Sequence, residues 1–198
     1  MMLKEVTAVP NSALPLDEFA DHLRLGTGFS GARAEEAALI AYLRAAMAAI
    51  EGRTAKILIS RDFTMTLAHW RSIATQPLPV APVSAVNAVR VVDDAGVAIE
   101  VDASRYRLMP DTARPRLEGR GGMLPGVPDG GQVEIDMTAG FGQSWSDLPV
   151  DLAQAVFLLA AQYYEMRHDA AQDAGGMPFG VTALIERWRT VRVLGGRP

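Results

Sequence analysis

In the stretch "YYEMRHDAAQDAGG", Glu165, His168, Asp169 and Asp173 fall at i, i+3, i+4 and i+8, a spacing that sets oxygen and nitrogen ligands along one side of a helix. Three carboxylates and one imidazole would make a weak metal site. The chain has no cysteine to add thiolates, and its other histidines, His22 and His69, lie in different segments. A solvated acidic face accounts for the same residues without any desolvation cost. Ser144, Asp147 and His168 carry the groups of a hydrolase triad, but no G-x-S-x-G elbow presents the serine. "GRGGMLPG" has the glycines of a phosphate cradle and lacks the Lys and Ser/Thr that grip phosphate and magnesium. The residue types and spacings predict no catalytic residue, no metal site and no cofactor.

What would have to position such groups is a chain of 198 residues, 49% apolar and 21% charged, enough to bury about 70% of its unfolded surface as a single domain. Without cysteine there is no disulfide and no thiolate catalysis, which fits a reducing compartment. The opening "MMLKEVTAVPNSALPLDEF" has no continuous apolar run, and "AVFLLAAQYY" is too short to span a bilayer, so neither secretion nor membrane insertion is signalled. The net charge of −4 is a poor match to general nucleic-acid binding, and it is unevenly spread. Residues 186–198 carry Arg187, Arg189, Arg192 and Arg197 against Glu186, a net +3 on a body of −7. Basic groups near a helix C-terminus also complement its dipole, by about 0.3 to 1 kcal/mol each, so local stabilisation and partner binding both remain open for this tail.

The order of elements predicts an α+β fold: a helical frame of two N-terminal helices, one long and one short C-terminal helix, with a small antiparallel β insertion. "PLDEFADHLRL" pairs a proline and acidic start with Leu16, Phe19 and Leu23 at helical spacing. From about Ala34 to Glu51, Leu39, Leu43, Met47 and Ile50 form one stripe on an alanine-rich helix. At Lys56 the period drops to two. A strand through Ile57, Ile59, Phe63, Met65 and Leu67 is followed by a hairpin around "DDAG", a short strand at "RYRLM", a loop through "ARPRLEGRGGMLPGVPDGG" and a last strand at "QVEIDMTAGF", four or five strands in all. One domain over 1–198 is expected, divided into N-terminal helices (1–56), β insertion (57–142), C-terminal helices (146–185) and basic tail (186–198).

The helix in "SDLPVDLAQAVFLLAAQYYEMRH" is apolar nearly all round. Leu152, Val156, Leu159 and Tyr163 make one face, while Phe157, Ala161 and Tyr164 fall on another. Such a helix is either monomer core or a contact between copies. Leu152, Val156, Phe157, Tyr163 and Tyr164 are therefore the candidate subunit-interface residues.

The succession of two N-terminal helices, a β insertion ending in "VEIDMTAGFG", then "LPVDLAQAVFLLAAQYYEMR", a glycine-bearing break and "PFGVTALIERWR" resembles the head-tail connector, or adaptor, proteins of long-tailed phages. Within that group it is most similar to the adaptors of phage-derived gene transfer agents. The likeness runs along nearly the whole chain, and its most specific pieces are the "TAGFG" to "LP.DL.QA" junction and the "PFGV..L...WR" ending.

The resemblance implies a protein without catalytic activity that assembles as a dodecameric ring below the portal of a DNA-filled head. It implies a place at the head-tail junction of a phage-like particle assembled in the bacterial cytoplasm, with the portal protein and a stopper or tail-completion protein as partners. DNA would pass through the channel without specific binding, and no membrane is involved. The family's portal-binding segment maps onto residues 182–198, with Thr182, Leu184, Ile185, Arg187, Trp188, Arg189, Arg192, Val193 and Leu194 as its contacts. Two alternatives stand beside this one. A stopper or tail-completion protein would share the ring but not the helix, β insertion, helix order, and a small-molecule hydrolase would need a polar pocket.

Overall fold

The computed structural model describes residues 1–25, 33–168 and 176–189. The chain is mixed α+β and divides into two compact units, Met1–Pro10 with Ile57–Gln143, and Asn11–Lys56 with Ser144–Pro198.

The first unit is all β. A five-stranded antiparallel sheet runs in the order β1 (Met2–Glu5), β2 (Arg61–Leu67), β8 (Gln132–Ala139), β4 (Val83–Val92), β5 (Ala98–Glu100). A second sheet holds β3 (Thr75–Pro77), β7 (Arg116–Gly119) and β6 (Tyr106–Met109). β8 lies at the centre of the larger sheet, and its alternation explains why: Val133, Ile135, Met137 and Ala139 are fully buried on one face. They pack with Phe63, Met65 and Leu67 of β2, Val83 and Val89 of β4, and Leu117 and Tyr106 of the smaller sheet.

The other face of β8 is polar and paired. Thr64 donates to Asp136 (2.7 Å), Thr138 donates to Asp62 (2.7 Å), and Arg90 bridges Glu134 (3.4 Å) and Asp136 (2.5 Å). β4 meets β8 through two register shifts, between Val83 and Ala85 and between Val86 and Ala88, which bend the strand where Asn87 reaches across to Thr138.

The second unit is helical: α1 (Leu16–His22), α2 (Arg33–Thr54), α3 (Val150–Glu165) and α4 (Phe179–Ile185). Leu39, Leu43, Met47 and Ile50 of α2 are buried, as are Leu152, Val156 and Leu159 of α3 and Val181 and Ile185 of α4. Phe157 is clamped in an aromatic stack between Phe19 (5.7 Å) and Trp145 (5.2 Å), which fastens α1 and the entry to α3 onto one side of that helix.

The α+β class expected from the sequence is present, and its details differ. The longest helix is α2, with 22 residues, rather than the C-terminal α3 with 16, and α1 has only seven. α2 continues through Gly52 because a single glycine costs a helix only about 1 kcal/mol, and it stops where Ala55 turns left-handed at φ 55°. Among the described residues there are eight strands in two sheets, not four or five. The extra strands are ones that alternation does not mark. β1 faces the core with Leu3 and is tied by the Glu5–Arg61 ion pair (3.1 Å), while β7 lies inside the glycine- and proline-rich stretch expected to be loop and buries only Leu117 among its large side chains.

Gly140 ends β8 at φ 138°, and a Cβ there would collide with the backbone of Ile59 and Ser60. Gly140→Ala should lower stability by about 2 to 4 kcal/mol, measured as a lowered urea midpoint with an unchanged m-value.

Candidate functional site

Pro149 caps α3 and places Asp151 in the first turn, where a carboxylate faces the positive end of the helix dipole. Two residues from the turn after α4 reach this carboxylate. α4 runs into a 3-10 turn, Glu186–Trp188, from which Trp188 Nε1 donates to Asp151 Oδ2 (2.7 Å) and Arg187 Nε pairs with the same oxygen (2.6 Å). Arg187 also stands over the Trp188 ring, 4.7 Å from its centre. Glu186, one residue earlier, pairs with Arg189 (3.1 Å) on the exposed side.

Burial alone pushes the Asp151 carboxyl up. The bonds from Trp188 and Arg187, the charge of Arg187 and the Leu152 amide outweigh it and hold the group below the usual carboxylate range. The last described turn is thus pinned to the start of α3 by one charged acceptor.

Beside this clamp is an open groove of about 670 Å³ lined by Pro149, Val150, Asp151, Gln154, Ala183, Leu184 and Arg187. Phe179 and Val150 project into solvent at 89% and 85% exposure. Thr182 and Leu184 are half-buried, Arg187 and Arg189 are exposed, and Ile185 is sealed in the core. Of the sequence-derived portal contacts, six therefore lie together on α4 and the turn after it, five of them with accessible surface. Arg192, Val193 and Leu194 lie outside the described residues.

The candidate subunit-interface residues separate. Leu152 and Val156 have no exposed surface in the single chain, so they contribute core rather than contact. Phe157 is half-buried in its aromatic stack. Tyr163 and Tyr164 are half-buried near the end of α3, where Tyr164 meets Tyr42 edge-on at 6.1 Å and lies under Arg167 at 3.8 Å.

The residues that suggested chemistry do not form a centre. Ser144 and Asp147 form a capping box at the turn before α3, where the Ser144 backbone N–H donates to Asp147 Oδ2 (3.0 Å), and the Ser144 hydroxyl donates to the same oxygen (2.7 Å), which gives both a structural role. Glu165 is exposed, the His168 side chain, Asp169 and Asp173 lie outside the described residues, and no group of three or more metal-ligating side chains occurs among the described ones. No described helix is long and apolar enough to cross a membrane. The Asp151 clamp escaped sequence reading because its partners are 36 and 37 positions apart. The only signal was an acid in the first turn of one helix and a Trp–Arg pair at the end of another.

No protein-family model matches the chain, and no curated protein does. Solved structures do. A chain in the neck of an empty gene transfer agent (GTA) particle, computed with C6 symmetry, is 70% identical over 100% of both chains with a TM-score of 0.90. A chain in the virion of a native GTA particle is 69% identical, again over 100% of both, with a TM-score of 0.87. A third, from the neck of a native GTA particle computed with C12 symmetry, is 65% identical at the same coverage with a TM-score of 0.86.

The clamp has a pH signature. A carboxyl held low in the folded state contributes stability above its unfolded pKa and loses it as pH falls through the folded value, so the effect should fade below about pH 4. Asp151→Asn, whose amide oxygen can still accept from Trp188 but without charge, should cost about 1 kcal/mol at pH 7, most of it from weakening the charge-assisted Trp188 bond because Arg187 is largely solvent-screened. Melts of the two proteins from pH 7 to pH 3 should converge, and parallel curves would mean that the charge of Asp151 is not what holds the turn.

Proposed function

Because this chain belongs to the family of gene transfer agent neck proteins, we propose that it is the adaptor of such a particle, a non-catalytic subunit of a ring at the head-tail junction. The observation that carries this reading is identity of 65–70% along the whole length to chains of GTA particles, two of them from necks. The C6 and C12 symmetries of those necks support a ring, with twelve copies when assembled.

In this reading the ring sits below the portal, extends the DNA channel and receives the stopper or tail-completion protein on its far side. The acidic balance of the chain suits a channel through which DNA slides, since phosphate binding needs cationic partners.

The portal contact is assigned to residues 182–198. Ile185 buries the end of α4 and the Asp151 clamp fixes the turn that follows it. Thr182, Leu184, Arg187 and Arg189 form the accessible shoulder, and Arg192, Val193 and Leu194 reach the portal beyond it. Trp188 then serves as the pivot of the tail, with its indole N–H committed to Asp151. Tyr163 and Tyr164 are the residues of α3 assigned to the neighbouring subunit.

Deletion of residues 190–198 keeps Ile185, Trp188 and Asp151 in place, so it should leave the melting temperature within about 2 °C of the full chain. The same deletion should abolish capture by purified portal, and binding by the full chain should weaken as salt rises. Portal capture that survives the deletion assigns the contact to another surface of the chain, and a full chain that portal does not capture favours a stopper position, away from the portal.

A further inference from the structure

Charge is segregated within the β unit. Residues 69–77 and 102–122, which build the smaller sheet and its loops, carry six arginines against three carboxylates, a net +3. Residues 57–68, 78–101 and 123–143, which build most of the larger sheet, carry two basic and seven acidic residues, a net −5.

Each region also has an exposed apolar pair beside its charges. In the basic region the Leu124 amide donates to the Ile73 carbonyl (2.8 Å) and the Arg120 amide to the Arg105 carbonyl (2.8 Å), which draws the two loops and the end of β6 together. Ile73 and Met123 are 66% and 59% exposed there, flanked in sequence by Arg71 and Arg120. In the acidic region, Val97 and Ile99 are 56% and 67% exposed on the hairpin and edge strand β5. Asp94 and Glu100 flank them, and Asp129 joins them because Gly130 lies against Asp94.

An apolar centre with a charged rim is the anatomy of a specific interface, and the two rims have opposite sign. A ring of more than two subunits requires such a pair, since each copy offers one surface to the neighbour on one side and a different surface to the other.

We propose, resting on the ring reading above, that the Ile73/Met123 arginine surface of one copy docks on the Val97/Ile99 acidic edge of the next, making the head-to-tail contact that closes the ring. The free edge of β5 gives the incoming loops backbone groups to bond, while the apolar pairs meet and the rims fix register. Nucleic acid is the other ligand that arginines attract. Ile73 and Met123 offer no aromatic platform for bases, and the matching acidic surface lies on the same chain.

The test is a charge exchange on the full chain, read by sedimentation equilibrium at low and high salt. Arg71→Glu/Arg105→Glu reverses the basic rim while keeping Arg120, whose Nε bonds the Tyr106 carbonyl (3.1 Å). Asp94→Lys/Asp129→Lys reverses the acidic one. Wild-type chain should self-associate at low salt and less so at high salt, and each double variant should associate at least roughly ten-fold more weakly with an unchanged melt. An equimolar mixture of the two variants should regain association, because each then meets a complementary rim.

A wild-type chain that stays monomeric at low salt, or a mixture no tighter than its components, overturns the contact. Arginine-dependent DNA binding without self-association also overturns it and assigns the arginines to phosphate. Particles whose necks incorporate Arg71→Glu/Arg105→Glu chains at normal occupancy would remove this contact and leave the ring itself standing.

Discussion

A single carboxylate fixes the turn that follows α4 in the helical unit. Asp151 sits in the first turn of α3, accepts from Trp188 and pairs with Arg187, so the turn after α4 is tied to the start of the helix it packs on. Ile185 secures the same junction from the apolar side. Because the charged acceptor is largely sheltered and both donors come from one turn, the position of Trp188 is set by the folded body. A segment meant to reach another molecule gains from that arrangement, since an anchored root lowers the conformational entropy lost on binding.

The β unit follows a different logic. Its interior is organised by the strict alternation of β8, whose apolar half fills the core and whose polar half forms the Arg90, Asp136 and Thr138 network. With β8 central and paired on both sides, the larger sheet is left with two short edges, β1 and β5. β1 is guarded by Lys4 and by the Glu5–Arg61 pair, which is how natural edges discourage pairing. β5 is exposed at all three residues and carries Ile99 outward. That contrast between a guarded and an open edge, together with the segregated charge, is what makes this unit directional.

Much of this was legible in the residues and some was not. Periodicity located α2, α3 and β8, because each buries a regular face, and the turn residues of "DDAG" located the β4–β5 hairpin. It failed where structure is imposed by partners. β1 exists because β2 offers it a register, and β7 because Leu117 is held between its neighbours, neither of which leaves a pattern in four residues. Leu152 and Val156 were correctly read as apolar, but a sequence cannot say whether such a face meets its own chain or another copy; here the single chain buries both. The acidic and basic tallies were visible along the chain, yet their sorting into two surfaces came from a fold that brings 69–77 beside 102–122.

The role proposed for this neck protein is that of adaptor, with the C-terminal segment as its portal contact. The most direct measurement is electron cryomicroscopy of particles assembled with this chain, reconstructed at the neck. It should show a twelve-fold ring of this chain in contact with the portal, with the density following Trp188 entering the portal. A ring of this chain separated from the portal by another protein, or density after Trp188 directed toward the tail, would contradict it.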